Sequence, residues 1–478
     1  MFDGMVRRAR EIAEIIKSKE EVHVVTHIDA DGITAGAVAL KTLQRLSKEY
    51  SIEFVKQVDS TVIEHLRDEN HELVWFTDLG SSVSSIDDLS MVITDHHTCG
   101  IDTNVSFHLN PHLFGLDGGT YISGAGVTYL VSRALSDENK DLSFLAVIGA
   151  CGDLQDHKRR CLTGGNREIL EDGTLRGVIE VKIDVQFFGR ETRPLHKFLQ
   201  YASDPIIPGI SGEEANSLSF LQENGIRLKD EEERWRRWVD LTKDEKRRIL
   251  SSIAKKLLTK GFGYHSIRRL IGEVYILPEE EVGTELHEAR EFATLLNSTA
   301  RYGYSEVGLQ VCLGDRGEWL KEALELLRGH RQNLIEGIQY IKGEGIQQRE
   351  YIQFFHAGSG VRDTIVGIIT NMLLNDGGVR KDLPLIGFAD KSGDEVKASA
   401  RATRFLVDKG LDLSAAIRIA ASQVNGVGGG HNIAAGATIP KGEEERFLKI
   451  LEEEIKNQLS SSRDVLYKST TSIVKSSV

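Results

Sequence analysis

The chain has 478 residues, of which 40% are hydrophobic and 27% are charged, and its formal net charge is −13. The length predicts two or three domains, and the acidic balance argues against a protein that coats duplex DNA through general electrostatics. It does not exclude a nuclease, because a local groove can be basic and bound metal ions reverse the field at a site.

The sequence indicates neither membrane insertion nor secretion. No run approaches the roughly 18 apolar residues of a transmembrane helix, and residues 1–20 form an amphipathic helical pattern with mixed charges. We therefore predict a cytoplasmic protein with no membrane partner. The cysteines lack a CxxC pair, which argues against cysteine-bound zinc or a disulfide framework and favours buried or free thiols. They are Cys99, Cys151, Cys161 and Cys312.

Short apolar runs alternate with helical patterns up to about residue 160. The spacing of apolar residues separates the two kinds of element. The strand candidates are 22–27, 52–58, 73–78 and 91–97, and the helix candidates are 33–46, 125–135 and 142–153. This alternation predicts an α/β domain over 1–200 with a parallel sheet and helices on both faces.

A charged segment, 201–334, reads as an inserted helical module followed by a connecting helix at 287–303. Ile249, Ile253 and Leu257 are four residues apart and therefore share one face of a helix. The other candidate core side chains are Trp235, Trp238 and Leu241. The module is either a solvated scaffold or a docking surface, since two tryptophans three residues apart are suitable interface anchors.

An α/β pattern resumes at about residue 335. The strand candidates are 351–358, 383–390 and 395–401, the helix candidates are 361–375, 411–424 and 442–459, and a glycine-rich run occupies 426–440. The second and third strands form a predicted pair across the turn KSGD. We predict a second, smaller α/β domain over 335–458 and a Ser/Thr-rich tail, 459–478, to which we assign no function.

Acids and imidazoles follow four of the predicted apolar segments. His27, Asp29 and Asp31 are spaced two residues apart, so an extended chain would project all three to one side, and Gly32 would permit a turn into the next helix. The other three sets are Asp78; Asp95, His96 and His97; and Asp153 with Asp156. In a parallel sheet the carboxyl ends of the strands form one edge and a ligand crevice.

Each set alone has an ordinary structural explanation. An Asp at a strand end is more often a helix cap or turn residue, and a pair of histidines is more often at the surface or in the core. Together, four segments deliver acids or imidazoles to the same predicted edge. Structural roles would leave several buried carboxylates unpaired, which is costly unless cations are present. We therefore predict a metal site there.

The charges of this set predict two divalent cations. Asp29, Asp31, Asp78 and Asp153 together supply four negative charges, which two such cations would balance. Two cations can clamp the attacking and leaving oxygens of a phosphoryl transfer. Carboxylates suit Mg²⁺ or Mn²⁺, the imidazoles favour Mn²⁺, and zinc is disfavoured by the oxygen-rich set without thiolates.

These motifs resemble a known family. The runs HIDADG, TDLG, ITDHHT and GDLQD are similar to the four consecutive motifs of the DHH phosphoesterases, and GGGHNIAAGATI resembles the glycine-rich signature of the DHH-associated domain. The resemblance covers 20–160 and about 335–440, in the family's order. It implies a parallel-sheet DHH catalytic domain, a helical insert and a smaller α/β DHH-associated domain around a central cleft.

Within the superfamily the chain resembles RecJ-type exonucleases of the archaeal GINS-associated nuclease type. The length, the insert and the run LLNSTARYG between the domains carry this resemblance. The additional OB-fold of the bacterial enzyme has no room here, because fewer than fifty residues follow the GGGH motif. Because of this departure, we do not carry over to this chain the way the bacterial enzyme binds its substrate or the direction in which it degrades it.

The resemblance also implies roles for individual residues. His27 and Asp29 would hold one metal ion, Asp31, His96 and Asp153 the other, and Asp78 would bridge the two. Asp95 would orient a histidine, and His97 would contact the scissile phosphate.

In the second domain, Gly428, Gly429 and Gly430 would let the backbone approach a phosphate as a nest of N–H groups, and His431 would add a donor. A glycine run alone is often a plain turn. Further phosphate-contact candidates are Ser399, Arg401 and Arg301, and Tyr302, Tyr304 and Phe388 are either base-stacking partners or core residues.

The leading hypothesis is a processive, metal-dependent exonuclease on single-stranded DNA, acting from the 5′ end, with single-stranded RNA as a further substrate. One alternative is hydrolysis of very short oligonucleotides or small nucleotides, as in smaller DHH relatives. A second alternative is a replisome scaffold bound to the GINS complex through the helical insert. The filled ligand positions favour an enzyme over a scaffold alone.

Overall fold

The chain divides into two compact units, Met1–Leu327 and Arg328–Val478. The computed structural model describes residues 1–83, 89–99, 107–374 and 378–475, with the backbone alone for 461–475. Each unit has its own sheet and its own hydrophobic core.

The first unit contains a five-stranded sheet and a two-stranded sheet. Its strands are β1 (Glu21–His27), β2 (Glu49–Val55), β3 (Val74–Thr77), β4 (Met91–Thr94), β5 (His108–Leu109), β6 (Glu180–Val185) and β7 (Ile271–Ile276). Its helices are α1 (Phe2–Ser18), α2 (Ala30–Arg45), α3 (Ser60–Glu69), α4 (Gly124–Leu135), α5 (Ser143–Gly152), α6 (Gly165–Arg176), α7 (Leu195–Gln200), α8 (Glu214–Glu223), α9 (Lys243–Thr259), α10 (Tyr264–Arg268), α11 (Ala289–Arg301), α12 (Ser305–Leu313) and the start of α13 (Glu318–Glu344).

The five-stranded sheet is parallel throughout, in the order β2-β1-β3-β4-β5. Apolar side chains of β1 and β3 alternate between two cores: Val24 and Trp75 face the core of α2, α4 and α5, whereas Val25 and Phe76 face α3. Strands buried on both faces need nearly continuous apolar sequence, which is the pattern seen in the sequence. The predicted parallel sheet is confirmed, as are the helices at 33–46, 125–135 and 142–153.

One local prediction at this sheet is wrong. The chain does not stay extended through Asp31, because β1 ends at His27 and α2 already begins at Ala30. Gly32 therefore lies inside the first helical turn, where a Cβ atom would lie 2.1 Å from the backbone oxygen of His27. The helix and not an extended chain sets the direction of the Asp31 side chain.

The insert, which lies between β6 and β7 in the sequence, packs around a separate hydrophobic core. Strands β6 and β7 pair with each other in antiparallel fashion. Trp238, Ile249, Ile253 and Leu257 are fully buried there, and Leu241 is 7% exposed, so these five predictions are confirmed. The prediction that Trp235 is a core residue is wrong, since Trp235 is 44% exposed. Its ring contacts His196 (centroid distance 4.5 Å) and Lys229 (5.5 Å from Nζ).

The second unit has a six-stranded mixed sheet in the order β12-β13-β11-β10-β9-β8. Its strands are β8 (Gln347–Gln348), β9 (Gln353–His356), β10 (Leu385–Lys391), β11 (Glu395–Arg401), β12 (Val427–Gly430) and β13 (Ala434–Pro440). Its helices after α13 are α14 (Asp363–Leu374), α15 (Arg404–Asp408), α16 (Leu413–Ser422) and α17 (Glu444–Lys475). The predicted hairpin is confirmed: β10 and β11 are antiparallel and joined by Ser392, Gly393 and Asp394.

Helices cover both faces of this sheet. α16 and α17 pack on one face against Phe388, whereas α14 packs on the other against Phe355. Phe388 is 1% exposed, so core packing is its role and not base stacking. Among the described residues, no helix combines the length and the apolar character required to cross a bilayer.

Candidate metal centre

The first two ligand candidates lie at the junction between β1 and α2. His27 is the last residue of β1, and Asp29 is the N-cap of α2, whose side chain accepts a hydrogen bond from the Gly32 N–H (3.1 Å). The His27 Nδ1 atom lies 3.1 Å from Asp29 Oδ1. A side chain that caps a helix is held in one rotamer, so this junction fixes Asp29 beside His27.

Asp31 is buried against the N-terminus of another helix. Its carboxylate accepts hydrogen bonds from the N–H groups of Gly124 (2.6 Å) and Ala125 (3.0 Å) in the first turn of α4. Helix N-termini stabilise negative charge through their unpaired N–H groups. Asp31 is 1% exposed, and this contact keeps a carboxylate in place where burial opposes its charge.

Asp78 lies immediately after β3 in the left-handed backbone region, at φ 59°. The conformation is uncommon for a residue other than glycine and costs on the order of 1 kcal/mol. Its Oδ2 lies 3.5 Å from His27 Nδ1, and its Oδ1 lies 3.3 Å from His96 Nε2. One buried carboxylate therefore faces two histidines, of which His27 ends β1 and His96 follows β4.

The residues that follow β4 divide into two kinds of position. Asp95 accepts hydrogen bonds from the backbone N–H groups of Ser81, His96 and His97 and contacts His97 Nδ1 at 2.8 Å. Burial by itself would raise the pKa of Asp95, but the hydrogen bond with His97 and these other donors lower it below its usual range. Asp95 is thus saturated with donors and orients His97.

His96 presents its second nitrogen to three carboxylates. Its Nδ1 lies 2.9 Å from the Gly118 carbonyl oxygen, which requires Nδ1 to be the donor. Its Nε2 lies 3.2 Å from Asp153, 3.3 Å from Asp78 and 3.7 Å from Asp31. A backbone carbonyl that fixes the far nitrogen of a histidine is the usual support of a metal-binding imidazole.

The six side chains form two adjacent ligand groups. Within each group, one donor atom per residue lies within 4.8 Å of the others. The groups are His27, Asp29 and Asp78, and Asp31, His96 and Asp153. A third group, Asp78, His96 and His97, overlaps both. The two groups therefore adjoin where Asp78 of the first faces His96 of the second.

Unpaired polar atoms show that these residues fit metal ions. The buried atoms His27 Nδ1, Asp78 Oδ1 and His96 Nε2 have no hydrogen-bond partner among the described residues, and all three face the two groups. A buried polar atom without a partner is costly, whereas coordination to a cation would satisfy each of them. The donor set of imidazoles and carboxylates suits Mn²⁺ or Mg²⁺.

The pKa values in the site are shifted by burial and by the close approach of several carboxylates. Burial and the neighbouring Asp78 raise the pKa of Asp31 to about 7, and burial together with Asp31 raises the pKa of Asp153. Burial would lower the pKa of His27, but Asp29 and Asp78 outweigh it and raise that pKa to about 11. Divalent cations beside these carboxylates would oppose the rise in their pKa values, because a cation stabilises the ionised form.

The sequence did not reveal the glycines that make room for the carboxylates. A Cβ atom at Gly124 would lie 2.1 Å from Asp78 Oδ1, and one at Gly149 would lie 2.2 Å from Asp31 Oδ1. Helices α4 and α5 can approach the site closely only because these positions lack side chains. A glycine within an otherwise helical pattern was the available signal.

The run LLNSTARYG contributes a support that the sequence indicated only in outline. Asn297 accepts a hydrogen bond from the Ala30 N–H (3.2 Å) at the start of α2, and Ser305 donates to the Ile28 carbonyl oxygen (2.8 Å). Arg301 ends α11 and interacts with Asp29, although burial lowers its pKa. The end of α11 and the start of α12 therefore brace the segment that carries Asp29.

The substrate candidates of the second unit lie on β11, β12 and the turn after β12. Ser399 pairs with Gly387 and Gly436 on the two flanking strands, and Arg401 follows two residues later on the same face. Burial lowers the pKa of Arg401, and no carboxylate in the described part of the chain counteracts this effect. A half-buried arginine without an acidic partner is suited to an anionic ligand.

The glycine run differs from the predicted nest. Gly428, Gly429 and Gly430 form the edge strand β12, where they pair with β13, because glycines without Cβ atoms can lie flat against a neighbouring strand. A Cβ atom at Gly428 would contact Ile417 of α16, whereas one at Gly429 would meet no described atom within 4 Å. His431 follows the strand and is exposed. An edge strand offers unpaired N–H groups along one side, which is a different donor array from a nest.

Three segments of the chain match known domain families. They are the DHH family, N-terminal domain (residues 21–151), the DHH-CID domain (187–271) and the DHHA1 domain (350–457). An uncharacterized protein of Methanocaldococcus jannaschii is 30% identical over 474 residues, which cover 95% of this chain and 100% of that protein. The single-stranded-DNA-specific exonuclease RecJ of Bacillus subtilis is 28% identical over 169 residues, or 32% of this chain and 21% of that protein.

Solved structures share the fold. RecJ of Thermus thermophilus in complex with Mn²⁺ superposes with a TM-score of 0.59 at 17% identity, over 95% of this chain and 55% of that chain. CDC45 of Entamoeba histolytica superposes with a TM-score of 0.62 at 12% identity, over 95% of this chain and 98% of that chain. The chain belongs to the DHH superfamily, and its fold is shared with RecJ.

Proposed function

We propose that the chain is a two-metal phosphodiesterase that degrades single-stranded nucleic acid as an exonuclease. The observation that carries the proposal is the pair of adjacent ligand groups, in which Asp78 of one lies 3.3 Å from His96 of the other. We propose that single-stranded DNA is the principal substrate and is degraded from its 5′ end. Single-stranded RNA is a further proposed substrate. The sequence match to a RecJ named as specific for single-stranded DNA supports this choice.

Each ligand group would hold one divalent cation. His27 and Asp29 would bind the first, Asp31, His96 and Asp153 the second, and Asp78 both. We propose Mn²⁺ as the preferred ion and Mg²⁺ as the alternative, because imidazole ligands favour Mn²⁺. Divalent cations at such a site neutralise phosphate charge and make water a better nucleophile.

His97 is the proposed donor to the scissile phosphate. Its side chain is 56% exposed, unlike that of His96, and Asp95 holds its Nδ1 at 2.8 Å. The hydrogen bond with Asp95 raises the pKa of His97 and so favours the protonated ring, whose Nε2 would donate to the phosphate. We propose Arg301, Ser399, Arg401, Gly428, Gly429, Gly430 and His431 as substrate contacts.

End-labelled substrates test this proposal. A long 5′-phosphorylated single-stranded DNA, the matching RNA and a dinucleotide are incubated with Mn²⁺ or Mg²⁺, and products are resolved over time. We expect stepwise shortening of the long DNA. Rapid loss of the dinucleotide alone would instead establish hydrolysis of short oligonucleotides, the alternative enzyme activity.

Ligand variants complete the same assay. Asp29→Ala and Asp78→Ala are expected to lower cleavage at least about 1,000-fold while the protein stays folded, because each removes a metal ligand. Glu64→Gln on α3 is the control, since this acid is exposed and outside the ligand groups. Retained Mn²⁺-dependent turnover in Asp78→Ala would contradict the ligand assignment.

A second candidate function is a replisome scaffold that binds the GINS complex through the helical insert. The shared fold with CDC45 and the DHH-CID match at 187–271 favour it as an additional role. Trp235 is the proposed anchor, because it is large and exposed on the insert. Trp235→Ala should weaken co-purification with GINS at least tenfold, whereas Trp319→Ala, an exposed tryptophan on α13, should not. Equal binding by both variants would contradict the docking role.

A further inference from the structure

The insert carries a concentration of positive charge that the candidate metal centre does not use. Residues 246–272 contain eight lysines and arginines and no aspartate or glutamate, although the net charge of the whole chain is −13. The segment covers most of α9, all of α10 and the first residues of β7. A local excess of positive charge attracts a polyanion even where the protein as a whole is acidic.

Only part of this charge is used within the fold. Lys246, Arg247 and Arg269 each pair with an aspartate. The five others have no acidic group within 4.0 Å among the described residues, and all except the second lysine are exposed. They are Arg248, Lys255, Lys256, Lys260 and Arg268. These cations are therefore available to an external anion.

Aromatic rings lie between the exposed cations. Phe262 follows α9 and is 38% exposed, and Tyr264 begins α10 and is 73% exposed. The guanidinium carbon of Arg268 lies 5.9 Å from the centroid of the Tyr264 ring. Proteins that bind single strands combine cations for the phosphates with exposed rings on which bases stack. An acidic protein would use the same cations, but the exposed rings favour nucleobases.

Asp204 connects this surface to the segment that follows a proposed metal ligand. The Nε atom of Arg269 donates to Asp204 Oδ1 (2.8 Å), and His157 Nε2 lies 2.9 Å from Asp204 Oδ2. His157 comes four residues after Asp153. The end of α10 is therefore held next to the segment that leaves the candidate metal centre.

Lys158 continues the positive charge towards the metal ligands. It is exposed and lies near Asp117, whose pKa is lowered mainly by a hydrogen bond with Thr120 and further by Lys158. Asp117 precedes Gly118, whose carbonyl oxygen fixes His96. Basic side chains thus extend, within the first unit, from the surroundings of His96 to the insert.

We propose that this surface binds the part of a single-stranded nucleic acid that lies outside the metal centre. We name it the basic track, and it consists of Lys158, Lys255, Lys260, Phe262, Tyr264 and Arg268. The choice of ligand rests on the proposed function, because a nuclease of long strands needs contacts beyond the bond that it cleaves. Cations and ring faces would recognise the backbone and any base, so binding should not depend on sequence.

Fluorescence anisotropy of a labelled 30-nucleotide DNA strand, titrated with the full chain in EDTA between 50 and 200 mM salt, tests the charges. The combined variant Lys255→Gln, Lys260→Gln and Arg268→Gln should bind at least about tenfold more weakly at 50 mM salt. The slope of log K against log salt should become shallower by about 2, because each phosphate contact on a single strand contributes about 0.7.

The control removes three charges from another surface of the same unit. Arg7→Gln, Arg10→Gln and Lys17→Gln together change exposed side chains of α1, so the net charge of both variants is the same. This control should keep the slope and the affinity of the unaltered chain within about twofold. Equal slopes in the two variants, or no binding of the strand by the unaltered chain in EDTA, would overturn the basic track.

Tyr264→Ala tests the stacking separately from the charges. It should weaken binding at least about fivefold at an unchanged salt slope, because a stacked base is lost and no phosphate contact is removed. Tyr50→Ala, which changes an exposed tyrosine of β2, should bind as the unaltered chain does. Equal binding by the two tyrosine variants would exclude stacking at Tyr264 and would contradict this part of the proposal.

Cleavage with Mn²⁺ separates a failure of the basic track from a failure of the proposed nuclease. The variant of the three track residues should raise the KM for the 30-nucleotide strand and leave hydrolysis of a dinucleotide unchanged. Track-dependent binding in EDTA without any cleavage in Mn²⁺ would contradict the nuclease and keep the track. Stepwise cleavage with the same KM in both combined variants would keep the nuclease, overturn the track and assign its charges to an acidic protein partner or to solvent.

Discussion

Individual glycines shape the candidate metal centre as much as its ligands do, because they leave room for the ligand side chains. Gly124 and Gly149 let two helices approach Asp78 and Asp31, respectively. Gly118 has a similar position, because a Cβ atom there would lie 1.9 Å from the His96 carbonyl oxygen. Ligand positions in this site are thus determined by close backbone packing, which tolerates little added volume.

Gly124→Ala should disable the site without removing a ligand. The new methyl group would lie 2.1 Å from Asp78 Oδ1, so the Asp78 carboxylate must move. We expect at least about a 100-fold loss of metal-dependent turnover, because catalysis is sensitive to displacements of about 1 Å. Turnover on single-stranded DNA at saturating Mn²⁺ measures the effect.

Gly329→Ala is the matched control for this substitution. Gly329 lies within α13, and no atom of the described residues lies within 4 Å of the position that its Cβ atom would occupy. This variant should keep full turnover and gain up to about 1 kcal/mol of stability, because alanine favours a helix. Unchanged turnover in Gly124→Ala would show that Asp78 does not need its present position.

At the scale of elements, α11 is the helix that supports the metal-binding segments from one side. Asn297 near its C-terminal end accepts from the start of α2, and Arg290 near its N-terminal end pairs with Asp156 at 2.6 Å. Asp156 is fully buried and lies three residues after Asp153. One helix therefore positions both the Asp29 segment and the Asp153 segment.

Arg290→Gln should destabilise the first unit strongly. Loss of the arginine would leave the fully buried Asp156 carboxylate without its cation, which costs about 3–5 kcal/mol. Chemical denaturation measures the free energy of unfolding. Arg45→Gln removes an ion pair of similar length with Asp141 (2.6 Å) at the surface, and there we expect a loss of at most about 1 kcal/mol. Equal losses in the two variants would contradict the proposed importance of burial.

Helix α9 of the insert begins with a reciprocal cap that makes its stability depend on pH. Thr242 and Glu245 exchange hydrogen bonds with each other's backbone, and Glu245 also pairs with Arg236 at 2.8 Å. The hydrogen bond with Arg236, together with the cap, lowers the pKa of Glu245 to about 2. The carboxylate therefore favours the folded state whenever it is ionised.

The sign of this effect follows from the lowered pKa. The stabilisation is fully present above the unfolded pKa of about 4.3 and is lost as the pH falls towards the folded value of about 2. Glu245→Gln should thus be less stable than the unaltered chain at pH 6, and the difference should shrink by about pH 3. Thermal unfolding at both pH values measures the difference. A constant difference would show that the Glu245 charge does not contribute.

At the scale of the whole molecule, the two compact units have separate cores. The core of the second unit includes Phe447 of α17, which is fully buried and contacts Phe388 at a centroid distance of 6.1 Å. The candidate metal centre lies wholly in the first unit. Damage to the second core should therefore leave the metal ligands in place.

Phe447→Ala tests this independence. We expect the second unit to lose about 3–5 kcal/mol of stability, because a buried aromatic side chain is replaced by a cavity. Calorimetry should show an earlier transition for that unit, while Mn²⁺ binding measured by titration calorimetry stays within about twofold of the unaltered chain. Loss of Mn²⁺ binding would show that the two units fold as one.

The sequence predicted much of the secondary structure and all six residues of the proposed ligand set. Apolar periodicity is a local property, so it predicted β1, β3, α4, α5 and the β10–β11 hairpin. The ligand candidates were recognisable because parallel strands bring their carboxyl ends to one edge of a sheet. Errors arose where a local pattern had two outcomes, as for Asp31 at a helix start and Trp235 on a charged helical module.

Only the tertiary structure decided which groups meet across long stretches of sequence. The α4 N-terminus binds the Asp31 carboxylate across 93 residues, and Asn297 caps α2 across 267 residues. The approach of His71 to His23 has the same character. Such contacts depend on how whole elements pack, and packing leaves no periodic signal in the sequence near either partner. The amino-acid sequence by itself therefore indicated the helices, the strands and the class of protein. The packing of those helices and strands decided the geometry of the sites.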